Sequence, residues 1–545
     1  MDPIRVPTRP FEDQRPGTSG LRRKVAVFRQ PHYLENFVQS VFDAVPSLRG
    51  ATLVLGGDGR FHNDHAVQVI LRMAAANGVA RVIVGASGIL STPAASALIR
   101  GQGAMGGIIL SASHNEGGPA GDFGIKFNGE NGGPAPERIT EAIYACTTRI
   151  GSYRTLESAD IDVSRTASFE LAGMRVEVVD PVEAYAKLLQ GLFDFDRIAA
   201  LLRRPGFAMQ FDAMHAVTGP YARTIFEGLL GAPRGSAINA DPLPDFGGGH
   251  PDPNPVHARE LVEALWRPDG PQFGAASDGD GDRNMIGGRG ILVSPGDSLA
   301  ILAANARLVP GTARGIQGIA RSMPTSRAAD RVARALGVPC YETPTGWKYF
   351  GTLLDAGRVT LCGEESYGTG SDHVREKDGI WAVLFWLNLL AVTNRSVGDI
   401  VRDHWKAYGR DFFSRHDYEG LDAGVAGSML EDLRSRLARL PGSTHAGLQV
   451  ASADDFSYTD PVDGSRSEHQ GIRIGFEEGE RAVMRLSGTG SEGATLRVYL
   501  ERFENDPSRQ ERAPAQALAR VAQAAGEIAG IASKLGRERP DVVTA

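Results

Sequence analysis

The sequence predicts several α/β units in series, followed by a last domain of α+β character. As far as Tyr408, strand-like runs alternate with polar loops and helical runs, the pattern of mainly parallel sheets. Beyond Arg410, β-like runs follow one another instead. The length of 545 residues corresponds to three or four domains at about 150 residues each.

The first α/β unit is predicted from four segments near the N-terminus. A strand begins at Ala51 in ATLVLGG, the polar loop GDGRFHND follows, and HAVQVILRMAAANG has the spacing of a helix that ends on Gly78. The strands ARVIVGAS and GGIILSAS, the second from Gly106, come next. This order is typical of an α/β layer.

The strand–loop–helix pattern returns from Phe207 in FAMQFDAMHAVTG, and from Gly315 in GIQGIARSM, which leads into SRAADRVARALG. Turn residues mark three junctions, at Asp180-Pro181, Ser294-Pro295-Gly296 and Tyr408-Gly409-Arg410.

The last domain contains β-like runs from Gln470, Arg481 and Ala494. An Ala-rich segment, PAQALARVAQAAGEIAGIASKLG, follows and is predicted to form one helix. This mixture predicts an α+β domain.

Composition excludes several classes of protein. Lys and Arg total 58 against 65 Asp and Glu, a net charge of −7 that gives no general reason to bind nucleic acid. Cys146, Cys340 and Cys362 form no CxxC pair, which argues against a disulfide framework and fits a reducing compartment. The longest apolar stretch, Ile380 to Val392, is shorter than the roughly 20 residues of a membrane span. We therefore expect a soluble cytoplasmic protein.

Three carboxylates at alternate positions form the sharpest motif. Asp278, Asp280 and Asp282 are separated by glycines in SDGDGDRN. Carboxylates this close repel one another unless a hard divalent cation lies among them. An EF-hand loop is excluded because Arg283 and Arg289 stand where its glycine and last glutamate are required. The motif predicts Mg²⁺ with a phosphate as a further ligand; an acidic solvated turn is the alternative.

A serine and a histidine follow the strand GGIILSAS. Ser113 and His114 lead into the Gly-rich loop NEGGPAGDFG, at the carboxyl end of a strand, where functional groups of α/β sheets concentrate. Lys126, in GIKFN, is near enough in sequence to offer a positive charge to an anion at Ser113. The GxSxG spacing of a nucleophile elbow is absent. A capping or turn role for Ser113 and an exposed lysine are the alternatives.

The segment MRLSGTGSEGATLR predicts a phosphate cradle. Ser487, Thr489 and Ser491 stand in a loop of small residues bracketed by Arg485 and Arg497, which offers backbone amides, hydroxyls and guanidinium donors. GTGSEG also matches GxGxxG, but a dinucleotide fingerprint requires a helix where the strand-like ATLRVYLERF follows.

The strings CGEESYG, TPTGWKYF and HVREKDG suggest a sugar site. Glu364 and Ser366 are an acceptor and a donor suited to vicinal hydroxyls, and Thr345 and Gly346 allow a ligand to approach closely. Lys377 stands among other charged residues, so a solvated charge cluster is the alternative there.

Together these strings resemble the phosphoglucomutase branch of the α-D-phosphohexomutase superfamily. PGTSGLRRKV, ASHNEGG, SDGDGDRN, PTGWKYF, GEESYG, SDHVREKDGIWA and RLSGTGSEGATLR occur in the family's order over nearly the whole chain. The resemblance implies four domains around a central cleft: three α/β mixed-sheet units and a smaller α+β domain. They would span residues 1–182 with the phosphoserine loop, 183–295 with the metal loop, 296–409 with the sugar loop, and 410–545 with the phosphate-binding loop.

The resemblance also implies residue roles. Ser113 would be the phosphorylated serine and would hold Mg²⁺ together with Asp278, Asp280 and Asp282. His114 and Lys126 would transfer protons or neutralise charge. Basic residues around the transferring phosphoryl group and the substrate would be Arg22, Arg283 and Lys377. The other substrate-binding residues would be Thr345, Gly346, Glu364, Ser366, Arg485, Ser487, Gly488, Thr489, Gly490, Ser491 and Arg497.

The implied reaction interconverts α-D-glucose 1-phosphate and glucose 6-phosphate, with glucose 1,6-bisphosphate as intermediate and activator. The partners expected are small hexose phosphates, with no nucleic acid, membrane or obligatory protein partner. The sequence departs from the family at Glu116, where similar proteins usually have proline after the Asn of SHN. Proline stiffens a loop, whereas glutamate adds a negative charge near a phosphate.

Three alternatives stay open. A mutase of mannose or mixed hexose phosphates is one, although the GEESYG form favours glucose. A non-catalytic phosphoprotein or trafficking scaffold of the parafusin type would use the same fold. A phosphatase of the haloacid-dehalogenase class is disfavoured because its DxDx[TV] pattern requires Thr or Val where Asp282 stands.

Overall fold

The computed structural model describes residues 2–17, 19–487 and 493–544. Within these residues, four large sheets packed against helices follow one another along the chain. The first three belong to α/β units and the last to an α+β unit, which confirms the predicted fold class.

The first unit is built on a seven-stranded mixed sheet. Its elements are β1 (Ile4–Pro7), β2 (Leu21–Lys24), α1 (Val25–Phe28), α2 (Tyr33–Ala44), β3 (Thr52–Gly57), α3 (Asn63–Ala76), β4 (Arg81–Ile89), α4 (Thr92–Gly101), β5 (Gly106–Leu110), β6 (Asp122–Gly129), α5 (Glu137–Thr147), β7 (Ser152–Thr155), β8 (Ala167–Leu171) and β9 (Met174–Val179). The strand order is β2-β6-β5-β3-β4-β9-β8, and β3 pairs in parallel with β4 and β5. The loops after β3 and β5 therefore emerge at the same edge of the sheet.

The predicted helix of this unit is α3, and its end differs from the prediction. It stops at Ala76 rather than at Gly78. Gly78 has a φ of 82°, a left-handed conformation that ends a helix and that glycine adopts without strain.

The second unit has a five-stranded sheet of order β11-β10-β12-β13-β14. Its elements are α6 (Glu183–Gln190), α7 (Phe195–Leu202), β10 (Met209–Asp212), α8 (Thr218–Ala222), a π-helical stretch (Arg223–Leu229), β11 (Ala237–Ile238), α9 (Arg259–Leu265), β12 (Phe273–Ala276), β13 (Met285–Gly288) and β14 (Ile291–Val293). Strand β12 is parallel to β10 and antiparallel to β13. The turn from β12 to β13 carries the three aspartates.

The third unit has a four-stranded sheet of order β16-β15-β17-β18. Its elements are α10 (Pro295–Ala304), β15 (Ile319–Ser322), α11 (Ala328–Leu336), β16 (Cys340–Thr343), α12 (Lys348–Asp355), β17 (Leu361–Gly363), β18 (Thr369–Ser371), α13 (Gly379–Thr393) and α14 (Val397–Tyr408). Helix α13 is buried from Gly379 to Leu390, as a core helix should be. No single helix in the described part of the chain is long and apolar enough to span a bilayer; only α13 and α14 together pass that test, and they are bent by 86°.

The fourth unit is a seven-stranded antiparallel sheet of order β20-β21-β24-β25-β26-β19-β27. Its elements are β19 (Arg410–Leu421), α15 (Ala423–Arg436), β20 (Thr444–His445), β21 (Leu448–Asp455), β22 (Tyr458–Thr459), β23 (Arg466–Ser467), β24 (Ile472–Phe476), β25 (Arg481–Ser487), β26 (Ala494–Glu504), α16 (Pro514–Ala529), α17 (Ile531–Leu535) and β27 (Val542–Thr544). The prediction of one C-terminal helix is wrong, because Gly530 takes a φ of 69° and separates α16 from α17.

The units are held together in two ways. One apolar cluster, which includes Ile83, Phe211 and Trp386, joins the first three units. The fourth has its own core and is attached to the third by a small apolar cluster around Met323 and Tyr499 and by buried polar contacts. In particular, the Arg481 guanidinium donates to the Met323 carbonyl across 2.9 Å. Two of the predicted domain boundaries fall between elements, before α6 and before β19, and the third falls after the first residue of α10. All three stay a prediction.

Candidate active site

Ser113 lies in the loop after β5 and is 3% exposed. Its backbone has a φ of 51°, a left-handed conformation that is unfavourable by about 1–2 kcal/mol for a residue with a Cβ. The Ser111 hydroxyl accepts the Ser113 N–H across 2.7 Å. The Ser113 hydroxyl in turn donates to Asp278 Oδ2 across 2.8 Å. The loop thus presents the serine oxygen to an aspartate of the second unit.

Asp278, Asp280 and Asp282 converge in the turn after β12. A carboxylate oxygen from each lies within 4.8 Å of the others, and all three side chains are buried. Gly279 lets this turn lie against the serine loop, since a Cβ there would lie 2.3 Å from the Ser113 carbonyl oxygen. Gly281 has a φ of 80°, which lets the turn fold back.

The electrostatics of the three aspartates fit a cation. Burial and the carboxylates of Asp282 and Asp280 raise the pKa of Asp278 well above its ordinary value. Burial also raises the pKa of Asp280, but the ammonium groups of Lys126 and Lys377 outweigh it and lower that pKa. Asp280 Oδ1 and Asp282 Oδ1 are buried and accept no hydrogen bond from any described residue. Unsatisfied oxygens of this kind are the ligands a hard ion such as Mg²⁺ prefers.

Two lysines face the carboxylates. Lys377 Nζ lies 3.1 Å from Asp282 Oδ2, and Lys126 Nζ lies 3.8 Å from Asp280 Oδ2. Burial lowers the pKa of Lys377, but the carboxylates of Asp282 and Glu364 outweigh it and raise that pKa above its ordinary value. Lys377 is therefore protonated near neutral pH.

Two arginines add to the cationic lining. Arg283 NH1 donates to Asp252 Oδ1 across 2.9 Å. Arg22, on β2, lines the same cleft, and its Nε is buried without a hydrogen-bond partner in the part of the chain described. These groups place positive charge around the space above the aspartates, where an anion is stabilised.

His114 lies beside the serine with a neutral ring. Its Nδ1 is 3.4 Å from Ser113 Oγ. Burial, followed by the charges of Arg283 and Arg22, lowers the pKa of His114 well below 6.5. At neutral pH the imidazole can therefore exchange a proton through a hydrogen bond but adds no positive charge, which favours the first of its two predicted roles.

The predicted sugar site lies in the same cleft. Glu364 Oε1 accepts the Gly346 N–H across 3.0 Å. Burial raises the pKa of Glu364, with Lys377 acting against it. The Thr345 hydroxyl is buried and has no hydrogen-bond partner among the described residues. A buried hydroxyl without a hydrogen-bond partner in the protein is available to a bound ligand.

The structure brings most of the predicted residues together. Arg485 is an exception: its Nε donates to the Gln470 carbonyl across 3.1 Å, and it lines a separate depression with His469. Ser487 ends β25, while Gly488, Thr489, Gly490 and Ser491 lie outside the described residues. The predicted residues that line the cleft are Arg22, Lys126, Asp280, Asp282, Arg283, Thr345, Gly346, Glu364, Ser366, Lys377 and Arg497.

Sequence reasoning missed the residues that hold this set in place. The Thr92 hydroxyl donates to Asp280 Oδ2 across 2.6 Å, and Glu376 Oε1 lies 3.3 Å from Lys126 Nζ. Arg60 donates to the Ser113 carbonyl across 2.7 Å. Arg60 could have been found, because it follows β3 at the sheet edge that also carries the serine loop.

Comparisons with known proteins cover nearly the whole chain. Models of the family described as phosphoglucomutase/phosphomannomutase, alpha/beta/alpha domains I, II and III, match residues 13–154, 183–290 and 295–408. A model described as phosphoglucomutase-1, C-terminal domain, matches residues 410–541.

Similar proteins agree with these models. A phosphoglucomutase of Rhizobium radiobacter is 59% identical over 99% of both chains, and one of Schizosaccharomyces pombe is 51% identical over 99% of both. The open form of pp63/parafusin (phosphoglucomutase), an exocytosis-sensitive phosphoprotein from Paramecium, superposes with a TM-score of 0.92 at 47% identity over 100% of this chain and 99% of that one. The chain therefore belongs to the phosphoglucomutase/phosphomannomutase family of the α-D-phosphohexomutase superfamily, in its phosphoglucomutase branch, as its motifs predicted.

Proposed function

We propose that this enzyme interconverts α-D-glucose 1-phosphate and glucose 6-phosphate through a phosphoserine at Ser113. The enzyme class and the glucose phosphates follow from the phosphoglucomutases that match the full chain. The observation that supports phosphoryl transfer through Ser113 is the 2.8 Å hydrogen bond from Ser113 Oγ to Asp278. This bond lies at the cleft that cationic side chains and Glu364 line.

The reaction is a double phosphoryl transfer. The P–O bond of phosphoserine breaks while the free hydroxyl oxygen of the sugar phosphate binds phosphorus, which leaves the serine oxygen and glucose 1,6-bisphosphate. The sugar proton goes to a neighbouring base, and neutral His114, 3.4 Å from Ser113 Oγ, is one residue able to take it. After the bisphosphate turns round, the Ser113 oxygen binds its other phosphorus while the P–O bond to the sugar breaks. The proton held by the base returns to the sugar oxygen that leaves. The net reaction moves the phosphate between O1 and O6.

This chemistry depends mainly on position and charge. Lys126, Lys377, Arg22 and Arg283 neutralise the oxygens of the transferring group. Mg²⁺, held by the phosphorylated serine and the three aspartates, would stabilise negative charge on the serine oxygen. Glu364 would accept sugar hydroxyls, and Arg497 with the loop 487–491 would hold the second phosphate.

The proposed cellular location comes from the names of relatives. A pea relative is named as cytoplasmic, whereas an Arabidopsis relative is named as chloroplastic. We keep the cytoplasm as the proposed location, and small hexose phosphates as the proposed partners.

A comparison of substrates tests the proposal. Glucose 1-phosphate and mannose 1-phosphate are supplied separately to the purified protein with Mg²⁺ and glucose 1,6-bisphosphate. Higher kcat/KM for glucose 1-phosphate is expected. Equal values would favour a mutase of mixed specificity, and no turnover on either sugar would favour a scaffold of the parafusin type.

A further inference from the structure

Arg60 is a buried guanidinium that occupies the space behind the serine loop. Its side chain is 0% exposed and is paired with Asp58, whose side chain is also 0% exposed. Arg60 Nε lies 2.9 Å from Asp58 Oδ2, and the Arg60 N–H donates to Asp58 Oδ1 across 3.1 Å. Both residues follow β3, so the ion pair is fixed to the end of a central strand.

The remaining guanidinium nitrogens donate to main-chain carbonyls at both ends of the serine loop. NH2 donates to the Ser113 carbonyl across 2.7 Å. NH1 donates to the Asp122 carbonyl across 2.9 Å and approaches that of Asn115 at 3.4 Å. One planar side chain thus ties together the segment between β5 and β6, which a point-like ammonium group cannot do.

Residues of the second unit also contact Arg60 and the serine loop. The Arg60 guanidinium lies over the Phe246 ring, 5.1 Å from its centroid. The neighbouring Pro244 carbonyl accepts N–H groups of Phe61 across 2.8 Å and of Gly118 across 3.0 Å. Arg60 is therefore held rigidly where the first and second units meet.

We propose that Arg60 is the positioning residue for the reactive serine, which it keeps in the left-handed conformation that directs Ser113 Oγ to Asp278. The Arg60 side chain is fully buried and does not line the cleft, so it acts only through the Ser113 carbonyl and the loop. This inference rests on the proposed function of Ser113.

Loop stiffness is the property that Arg60 supplies. A residue with a Cβ does not hold a positive φ without external restraint. Glu116 is exposed and its carbonyl accepts the Asp122 N–H across 2.9 Å, but its own N–H donates no hydrogen bond within the described residues. A proline at this position would restrict the loop by its fixed φ without removing a hydrogen bond.

The test compares Arg60→Lys with wild type, with Arg321→Lys as the matched control. Arg321 is also a buried arginine in an ion pair with carboxylates, but it lies in the third unit. For each protein, kcat and KM for glucose 1-phosphate, the thermal unfolding midpoint, and phosphorylation of Ser113 by glucose 1,6-bisphosphate (by mass spectrometry) are measured.

We expect Arg60→Lys to lower kcat by about 10- to 100-fold, the effect of misplacing a reacting group by about 1 Å, with KM nearly unchanged. Phosphorylation of Ser113 should slow in parallel. Arg321→Lys should lower the unfolding midpoint but leave kcat near wild type. Adding Glu116→Pro to Arg60→Lys should restore part of kcat.

Wild-type kcat in Arg60→Lys, or an equal loss in Arg321→Lys, would overturn the inference. Absence of any rescue by Glu116→Pro would overturn the claim that loop stiffness is what Arg60 supplies. If Arg60→Lys does not fold, Asp58→Asn tests the same point, because it keeps the guanidinium and removes its ion pair; kcat must fall at unchanged KM. Inactive wild-type protein would instead refute the proposed function.

Discussion

Ser113 and Asp278 are 165 residues apart in sequence, yet their side chains meet across a 2.8 Å hydrogen bond. The contact joins the loop after β5 to the turn after β12, two segments at the carboxyl ends of strands in different sheets. It places the proposed nucleophile beside the carboxylates that fit a cation.

Replacement of the serine should stop the reaction without unfolding the protein. Ser113→Ala removes the oxygen that carries the phosphate, so we expect kcat to fall by about a thousandfold or more. Alanine tolerates the φ of 51° no worse than serine, so the thermal unfolding midpoint should stay close to wild type. A coupled assay and calorimetry check both points. Near-normal turnover would show that another residue is the phosphate carrier.

Loss of one aspartate should weaken the response to Mg²⁺. Substituting a residue that only hydrogen-bonds to a metal ligand changes metal affinity by about 10- to 100-fold. Asp280 is proposed to be a ligand itself, so Asp280→Asn should raise the Mg²⁺ concentration for half-maximal activity by at least about tenfold. Asp297→Asn is the matched control, since Asp297 is equally buried but accepts a hydrogen bond from Trp405 outside the cleft. Identical Mg²⁺ titrations of the two variants would contradict the assignment of the metal site.

The sugar site should be sensitive to a single carboxylate. Hydrogen bonds to charged groups contribute about 1.5–3 kcal/mol, so Glu364→Gln should raise KM for glucose 1-phosphate by about 10- to 100-fold. Glu365→Gln is the control: its carboxylate already accepts bonds from Ser322 across 2.7 Å and Tyr499 across 3.1 Å. A larger KM effect at Glu365 than at Glu364 would be inconsistent with the proposed grip on the sugar.

Stability should fall in mild acid because of a buried histidine. Burial lowers the pKa of His404 from 6.5 to about 4. Between these values the unfolded chain binds more protons than the folded one, so this contribution is present above pH 6.5 and is lost as the pH falls toward 4. By pH 5 the loss is about 2 kcal/mol.

His404→Gln should therefore reduce the difference in unfolding free energy between pH 7 and pH 5, measured by chemical denaturation. Comparing the two pH values within each variant cancels any general effect of the substitution. A difference as large in His404→Gln as in wild type would assign the acid sensitivity to other groups.

The sequence was informative wherever chemistry is concentrated in short motifs. The repeated Asp-Gly pattern of Asp278 to Asp282 indicates a metal site by itself, because the three carboxylates that repel one another are close together in the sequence. Alternating strands and helices likewise predicted the α/β units. The break of the C-terminal helix at Gly530 was missed, since a glycine inside an apolar pattern is compatible with either outcome.

Contacts between site residues and residues that are distant in sequence could not be predicted from local patterns. Thr92 and Asp280 are 188 residues apart and touch only because two units pack together. The same holds for Glu376 and Lys126. The location of Arg485 away from the cleft also depends on tertiary packing, as its guanidinium reaches the Gln470 carbonyl instead.

One assay tests the central claim most directly. Glucose 1-phosphate is added to purified protein with Mg²⁺ and a trace of glucose 1,6-bisphosphate, and glucose 6-phosphate is followed by a coupled reaction. We predict turnover that a chelator abolishes and added Mg²⁺ restores. Folded protein that is phosphorylated on Ser113 but produces no glucose 6-phosphate would contradict the account.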